Sequence, residues 1–181
     1  MDLRKHAPAR LRPGPHSMVL HHLVGQTIEQ HPHPAWKIII PIGGHLAWER
    51  GQGPGRCAAA AIFPPQIAHA TTTAAGSAEV LIDPWFLGLG PGHGRVIPLD
   101  QSTVEHVRAL WYPDVESDPD ERARETVSLL RRREFLPRAI SIDPRVEAAL
   151  RNLPIANRIQ HVAAAVGLSS SRLRILIHDQ T

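Results

Sequence analysis

A single cysteine, Cys57, stands in the 181 residues, so no intrachain disulfide can form and neither a cysteine-based zinc finger nor a redox pair can be built. Long hydrophobic runs are missing too. The basic, proline-broken start MDLRKHAPARLRPGP has no secretory apolar core, and no segment reaches membrane-spanning length. Together these absences predict a cytoplasmic protein that meets no membrane. Catalytic signatures are also lacking: no nucleophile elbow or base–nucleophile pair accompanies His69 and the threonines 71–73. The glycine run GLGPGHG lacks the Lys-Ser/Thr that would reach a phosphate, so it reads as a flexible connection.

What is present is the composition of a globular chain, 43% hydrophobic and 20% charged, with a net charge of +3 that permits nucleic-acid binding without arguing for it. Short apolar runs punctuated by Gly and Pro (SMVLHHLVG, WKIIIPIGG, HLAWERG, CAAAAIFPP, EVLID) lack helical periodicity and predict antiparallel strands in a sandwich or small barrel. Alanine weakens the strand signal at Ala58 to Ala61. The expected fold class is therefore α+β. A flexible arm over 1–16 precedes a β domain over 17–97, a helical connector over 98–140 and a final helical unit over 141–181.

Beyond Pro98 the period changes to that of helices. Val104, Val107, Leu110 and Trp111 share one face, and Ser102 with Glu105 reads as a capping box. Asp118 and Pro119 open the next helix, with Ala123, Val127 and Leu130 in a stripe that either covers the sheet or meets a second subunit. The arginines 131–133 read either as a solvated helix end or as a phosphate contact. Further on, Asp143 and Pro144 start a helix carrying Val146, Ala149, Leu150 and Leu153, and Asn157 starts one carrying Ile159, Val162, Ala163 and Val166.

The stretch VAAAVGLSSSRLRIL holds the most specific pattern. A small Ala163, a turn at Gly167, an N-cap at Ser169 and inward Leu173, Leu176 and Ile177 have the offsets of a helix-turn-helix. That arrangement leaves Ser170, Ser171, Arg172, Arg174, Ile175 and His178 on or near the outward side, with the two arginines suited to phosphate or guanine. The alternative is a helical hairpin that merely completes a core. Residues 141–181 carry a net charge of +2, mild support for double-stranded DNA as partner.

The stretch DPRVEAALRNLPIANRIQHVAAAVGLSSSRLRILIHDQT resembles the opening of the DNA-binding domain of AraC-type transcription regulators, and the strand-rich region before it resembles their cupin-type effector-binding domain. The resemblance implies an effector-controlled regulator that catalyses no reaction. It also implies two helix-turn-helix units, of which this chain reaches only the first, and a homodimer formed through the helix around Ala123 to Leu130.

His31 and His33, two apart on a strand and so expected on one face, and the later His69 resemble the metal-binding motifs of cupin barrels, which imply a divalent metal held by three imidazoles and a carboxylate. The expected glutamate is absent; Lys37 and Ile38 occupy that spacing, and a lysine cation repels a metal. Two other readings stay open. In one, His31, His33, Lys37 and His69 bind a small-molecule effector between Trp36 and Trp48; in the other, the histidines have no role. The rivals to the regulator are a metal-dependent cupin enzyme, an isomerase or dioxygenase, and an interaction module that binds no DNA.

Overall fold

Two long strands with inward-facing alternate residues organise the fold. The computed structural model describes residues 10–51, 53–90, 92, 94–112, 118–140, 142–152 and 158–180. Within them lie β1 (Arg10–Pro13), β2 (Ser17–His31), β3 (Trp36–Pro41), β4 (Leu46–Glu49), β5 (Arg56–Ala58), β6 (Ala60–Phe63), β7 (His69–Ile82) and β8 (Ile97–Leu99). The helices are α1 (Gln101–Trp111), α2 (Pro119–Arg132), α3 (Pro144–Asn152), α4 (Ile159–Ala165) and α5 (Ser170–Gln180), so the class is mixed α+β.

All strand pairs are antiparallel, and β7 is the spine: β2 runs along one edge, while β3 and β4 follow each other along the other. Glycines allow the β2–β7 ribbon to coil. A Cβ on Gly76 would overlap the carbonyl oxygen of His22, and one on Gly25 would overlap that of Ala74, so only hydrogen fits at these two close approaches. We expect Gly76→Ala to lower the unfolding free energy by about 1–3 kcal/mol through overpacking. Gly43→Ala, which meets nothing within 4 Å, should change it little; urea denaturation of both variants checks the contrast.

Strand alternation gives the sheet two faces. Trp36, Ile38, Ile40, Val80 and Ile82 form one core with Val104, Val107 and Trp111 of α1 and Ala123, Val127 and Leu130 of α2. Each such aliphatic side chain contributes about 1.5–3 kcal/mol by leaving water. The Ala123–Leu130 stripe thus covers its own sheet. The other face carries Ile39, Leu46, Trp48, Ala61 and Phe63 and encloses an interior.

Several local expectations change. Arg10–Pro13 of the expected flexible arm pair with β2, and Pro98, where the sheet was expected to have ended, lies in β8. Asp100, not Ser102, caps α1 by accepting from the Thr103 amide, because its carboxylate stands at the N-cap where that amide points. Asp118 and Pro119 do open α2. Arg131 donates to the carbonyls of Leu87, Gly88 and Pro137, while Arg133 donates to Ser102 and Thr103; both join α2 to its neighbours instead of ending in solvent. The glycine run is held too, since Trp36 Nε1 donates to Gly90 and the Ile140 amide to Gly88. Leu153 and Asn157 lie outside the described residues.

Helices α3 to α5 gather around a separate small core of Ala149, Val162, Ala163 and Leu173. After α4, Gly167 takes φ +68°, which favours glycine, and the chain closes a Schellman motif: the Leu168 amide reaches the Ala163 carbonyl and the Gly167 amide the Ala164 carbonyl. Ser169 then caps α5 through its hydroxyl, which accepts from the Arg172 amide at 3.2 Å.

Candidate functional site

Alternation along β7 places His69, Thr71, Thr73, Ser77 and Glu79 on the interior face, and their β2 partners face the same way: Gln26 opposite Thr73 and His22 opposite Ser77. At the centre Lys37 Nζ lies 2.8 Å from Glu79 Oε2, with the lysine only 3% and the glutamate 5% exposed. His22 Nε2 approaches the other carboxylate oxygen at 3.6 Å. Burial raises the pKa of Glu79, but the nearby His22 ring and the Lys37 ammonium together outweigh it, so the carboxyl sits below its ordinary value.

His33 and His69 meet at the end of this interior with ring centroids 5.1 Å apart, and Phe63 stacks on His69 at 3.9 Å. Nδ1 of His33 donates to the Ala35 carbonyl and Nδ1 of His69 to that of Ile67, each at 2.7 Å. A carbonyl oxygen only accepts, so these contacts assign the proton to Nδ1 and leave Nε2 with its lone pair. Burial lowers the pKa of both rings, that of His69 to about 4, against the opposing effect of the carbonyl bonds. Both are neutral at pH 7.

The interior is therefore polar but incompletely paired. Nε2 of His33 and of His69, the Gln26 amide nitrogen and the hydroxyls of Thr73 and Ser77 are buried without a protein hydrogen-bond partner. A buried polar group left unsatisfied costs about 1–3 kcal/mol. Two acceptors, one amide donor and two hydroxyls are thus left without protein partners.

The expected effector residues divide. His33, Lys37, Trp48 and His69 belong to this interior, whereas Trp36 does not: adjacent to Lys37 in a strand, it points to the opposite face and into the core beneath α1 and α2. His31 ends β2 opposite His69 but is exposed, its Nδ1 engaged by the Glu29 carbonyl. A register shift between Ile28 and His31 and the end of the strand break the two-residue alternation, so His31 and His33 do not share a strand face. Glu79, His22, Gln26, Thr73 and Ser77 escaped the sequence reading. The available signal was a glutamate on the inward parity of an otherwise apolar strand end.

A metal does not fit these residues. Among the described residues no three His, Cys, Asp or Glu side chains are grouped so that they could hold a metal ion, His31, His33 and His69 included. The His31 ring centroid stands 6.1 and 6.4 Å from those of the other two, the Lys37 cation shares the space, and Glu79 is already engaged.

On α5, Ser171, Arg172, Arg174, Ile175 and His178 are exposed and Ser170 is half-buried, while Leu173 and Leu176 are buried. The pattern follows from the 3.6-residue period once the Gly167 turn sets the direction of the helix.

Among the described residues no helix is long and apolar enough to cross a membrane. No protein-family model matches the chain, and neither does any curated protein sequence. Solved structures similar to it include the AraC-like transcriptional activator CuxR, 13% identical over 90% of this chain and 70% of that one with a TM-score of 0.44. A cupin superfamily protein from Desulfitobacterium hafniense is 6% identical over 46% of this chain and 84% of that one, with a TM-score of 0.37. A cupin domain from Bordetella pertussis is 15% identical over 46% of this chain and 97% of that one, with a TM-score of 0.34.

Proposed function

We propose that the chain is a transcription regulator of the AraC type, which takes a small-molecule effector in its polar interior and meets double-stranded DNA along α5. The observation that carries this reading is the α4–α5 turn. Its Schellman closure at Gly167 and the burial of Leu173 aim Arg172 and Arg174 outward from a core distinct from that of the sheet. An exposed helix edge with two guanidiniums, Ser171, His178 and the 49% exposed Ile175 combines phosphate contacts, guanine recognition and apolar contact with thymine methyl groups.

In this reading the chain catalyses no reaction. An effector acts by changing how β3 and β7 sit, since Lys37 and Glu79 inside share those strands with Ile38 and Val80, which support α1 and α2 outside. The loop at Leu87 and Gly88 then connects α2, through Arg131, to Ile140 ahead of α3.

The test is fluorescence anisotropy of a labelled duplex from the region upstream of the protein's own gene. Removing two phosphate-contacting arginines in Arg172→Ala/Arg174→Ala should weaken binding about tenfold or more at low salt. It should also reduce the slope of log K against log salt by about 2. An unchanged affinity and slope would remove α5 from the interface.

A further inference from the structure

Bordering the interior at Trp48 and away from α5, three arginines line one concavity of about 300 Å³. Arg50 follows β4, Arg56 opens β5 in register with Trp48, and Arg95 lies just before β8; Pro54, Val96 and the Trp48 ring supply the rest of the wall. Arg50 donates to the Gly94 carbonyl at 3.0 Å, which ties the loop after β4 to the segment before β8 and holds the cavity's two sides together. Among the described residues no carboxylate pairs with any of the three guanidiniums. The neighbouring acid, Glu49, is not part of this wall; it lines the adjoining cavity together with Arg56, Trp48, Thr27 and Thr72, without forming an ion pair with Arg56.

Guanidiniums stay charged at every physiological pH, and three of them around one hollow repel one another unless an anion sits between them. We propose that this hollow binds a small phosphate-bearing molecule. The planar forks of arginines reaching in from three separate segments suit the several oxygens of a phosphoryl group, each able to accept from a different guanidinium. A carboxylate, with two oxygens in one plane, uses fewer of these donors. The volume accommodates a phosphate group and a short remainder, with Val96, Pro54 and Trp48 as its apolar contact.

The experiment is calorimetric titration with inorganic pyrophosphate at low ionic strength, alongside malonate as a dianion without phosphate. Pyrophosphate should bind, malonate at least tenfold more weakly. Arg56→Ala/Arg95→Ala should lose affinity at least tenfold while keeping the wild-type circular dichroism and melting temperature, as exposed side chains allow. Arg56→Lys/Arg95→Lys, which keeps the charge and loses the forks, should fall between. Arg124→Ala/Arg132→Ala, in the groove between α1 and α2, should bind as wild type. The site is overturned if pyrophosphate does not bind, if the Arg56/Arg95 variants bind it unchanged, or if malonate binds equally well. It is also overturned if these variants lose only duplex binding, which would assign the arginines to DNA. Because the titration contains no duplex, its outcome is independent of the role of α5.

Discussion

Lys37→Met is expected to lower the unfolding free energy by about 3–5 kcal/mol in urea denaturation at pH 7, a loss far larger than a surface lysine would give. The substitution nearly conserves volume, so packing changes little. What changes is that the Glu79 carboxylate, buried on β7, loses its cation at 2.8 Å and keeps only His22 at 3.6 Å. The double replacement Lys37→Met/Glu79→Leu should recover most of the loss, since removing both charges also removes the need to dehydrate them. A single-variant loss below about 1 kcal/mol would mean that water reaches the pair, and the interior would no longer be a sealed polar site.

Between pH 7 and pH 4.5 the wild type should lose about 2–3 kcal/mol through His69 alone. The unfolded ring titrates near 6.5, whereas the folded ring, 1% exposed, titrates at about 4. Within that window the unfolded chain binds the proton and the folded chain does not, so each step toward acid favours unfolding. His33, also lowered by burial, adds to the same slope. Glu79 acts lower on the scale: its depressed pKa supplies stability above the ordinary carboxylate range that disappears only as pH falls through the folded value. Urea denaturation at several pH values, on the wild type and on His69→Leu, separates these contributions. The variant should show a visibly flatter slope above pH 4.5; identical slopes would place the proton uptake elsewhere.

The contrast between the two ends of the molecule explains what could be read in advance. The α4–α5 turn was legible because its code is local: Ala163, Gly167 and Ser169 lie within seven positions, and each has one physical task there. The interior was only half legible. Lys37 and His69 could be singled out, but pairing Lys37 with Glu79 depends on the β3–β7 register, which no short window contains. Trp36 was misplaced for a simpler reason, since neighbours in a strand cannot line the same pocket. Asp100 and Ser102 are both good N-caps two residues apart; the backbone entry angle after β8 decided between them. The arginines of α2 illustrate a different limit, because a guanidinium's choice between water and the Leu87 carbonyl is made by a loop more than forty positions away.

The coiling of β2 around β7 has a consequence for biosynthesis. Ser17 pairs with Ile82 and Met18 with Leu81, so this end of β2 has only the short β1 beside it until the last residues of β7 are made. Such non-local pairing makes folding slow, and during the wait the edge of β2 is open to other nascent chains. Production of this protein should therefore respond to synthesis rate and chaperone supply more than a chain whose hairpins close in order.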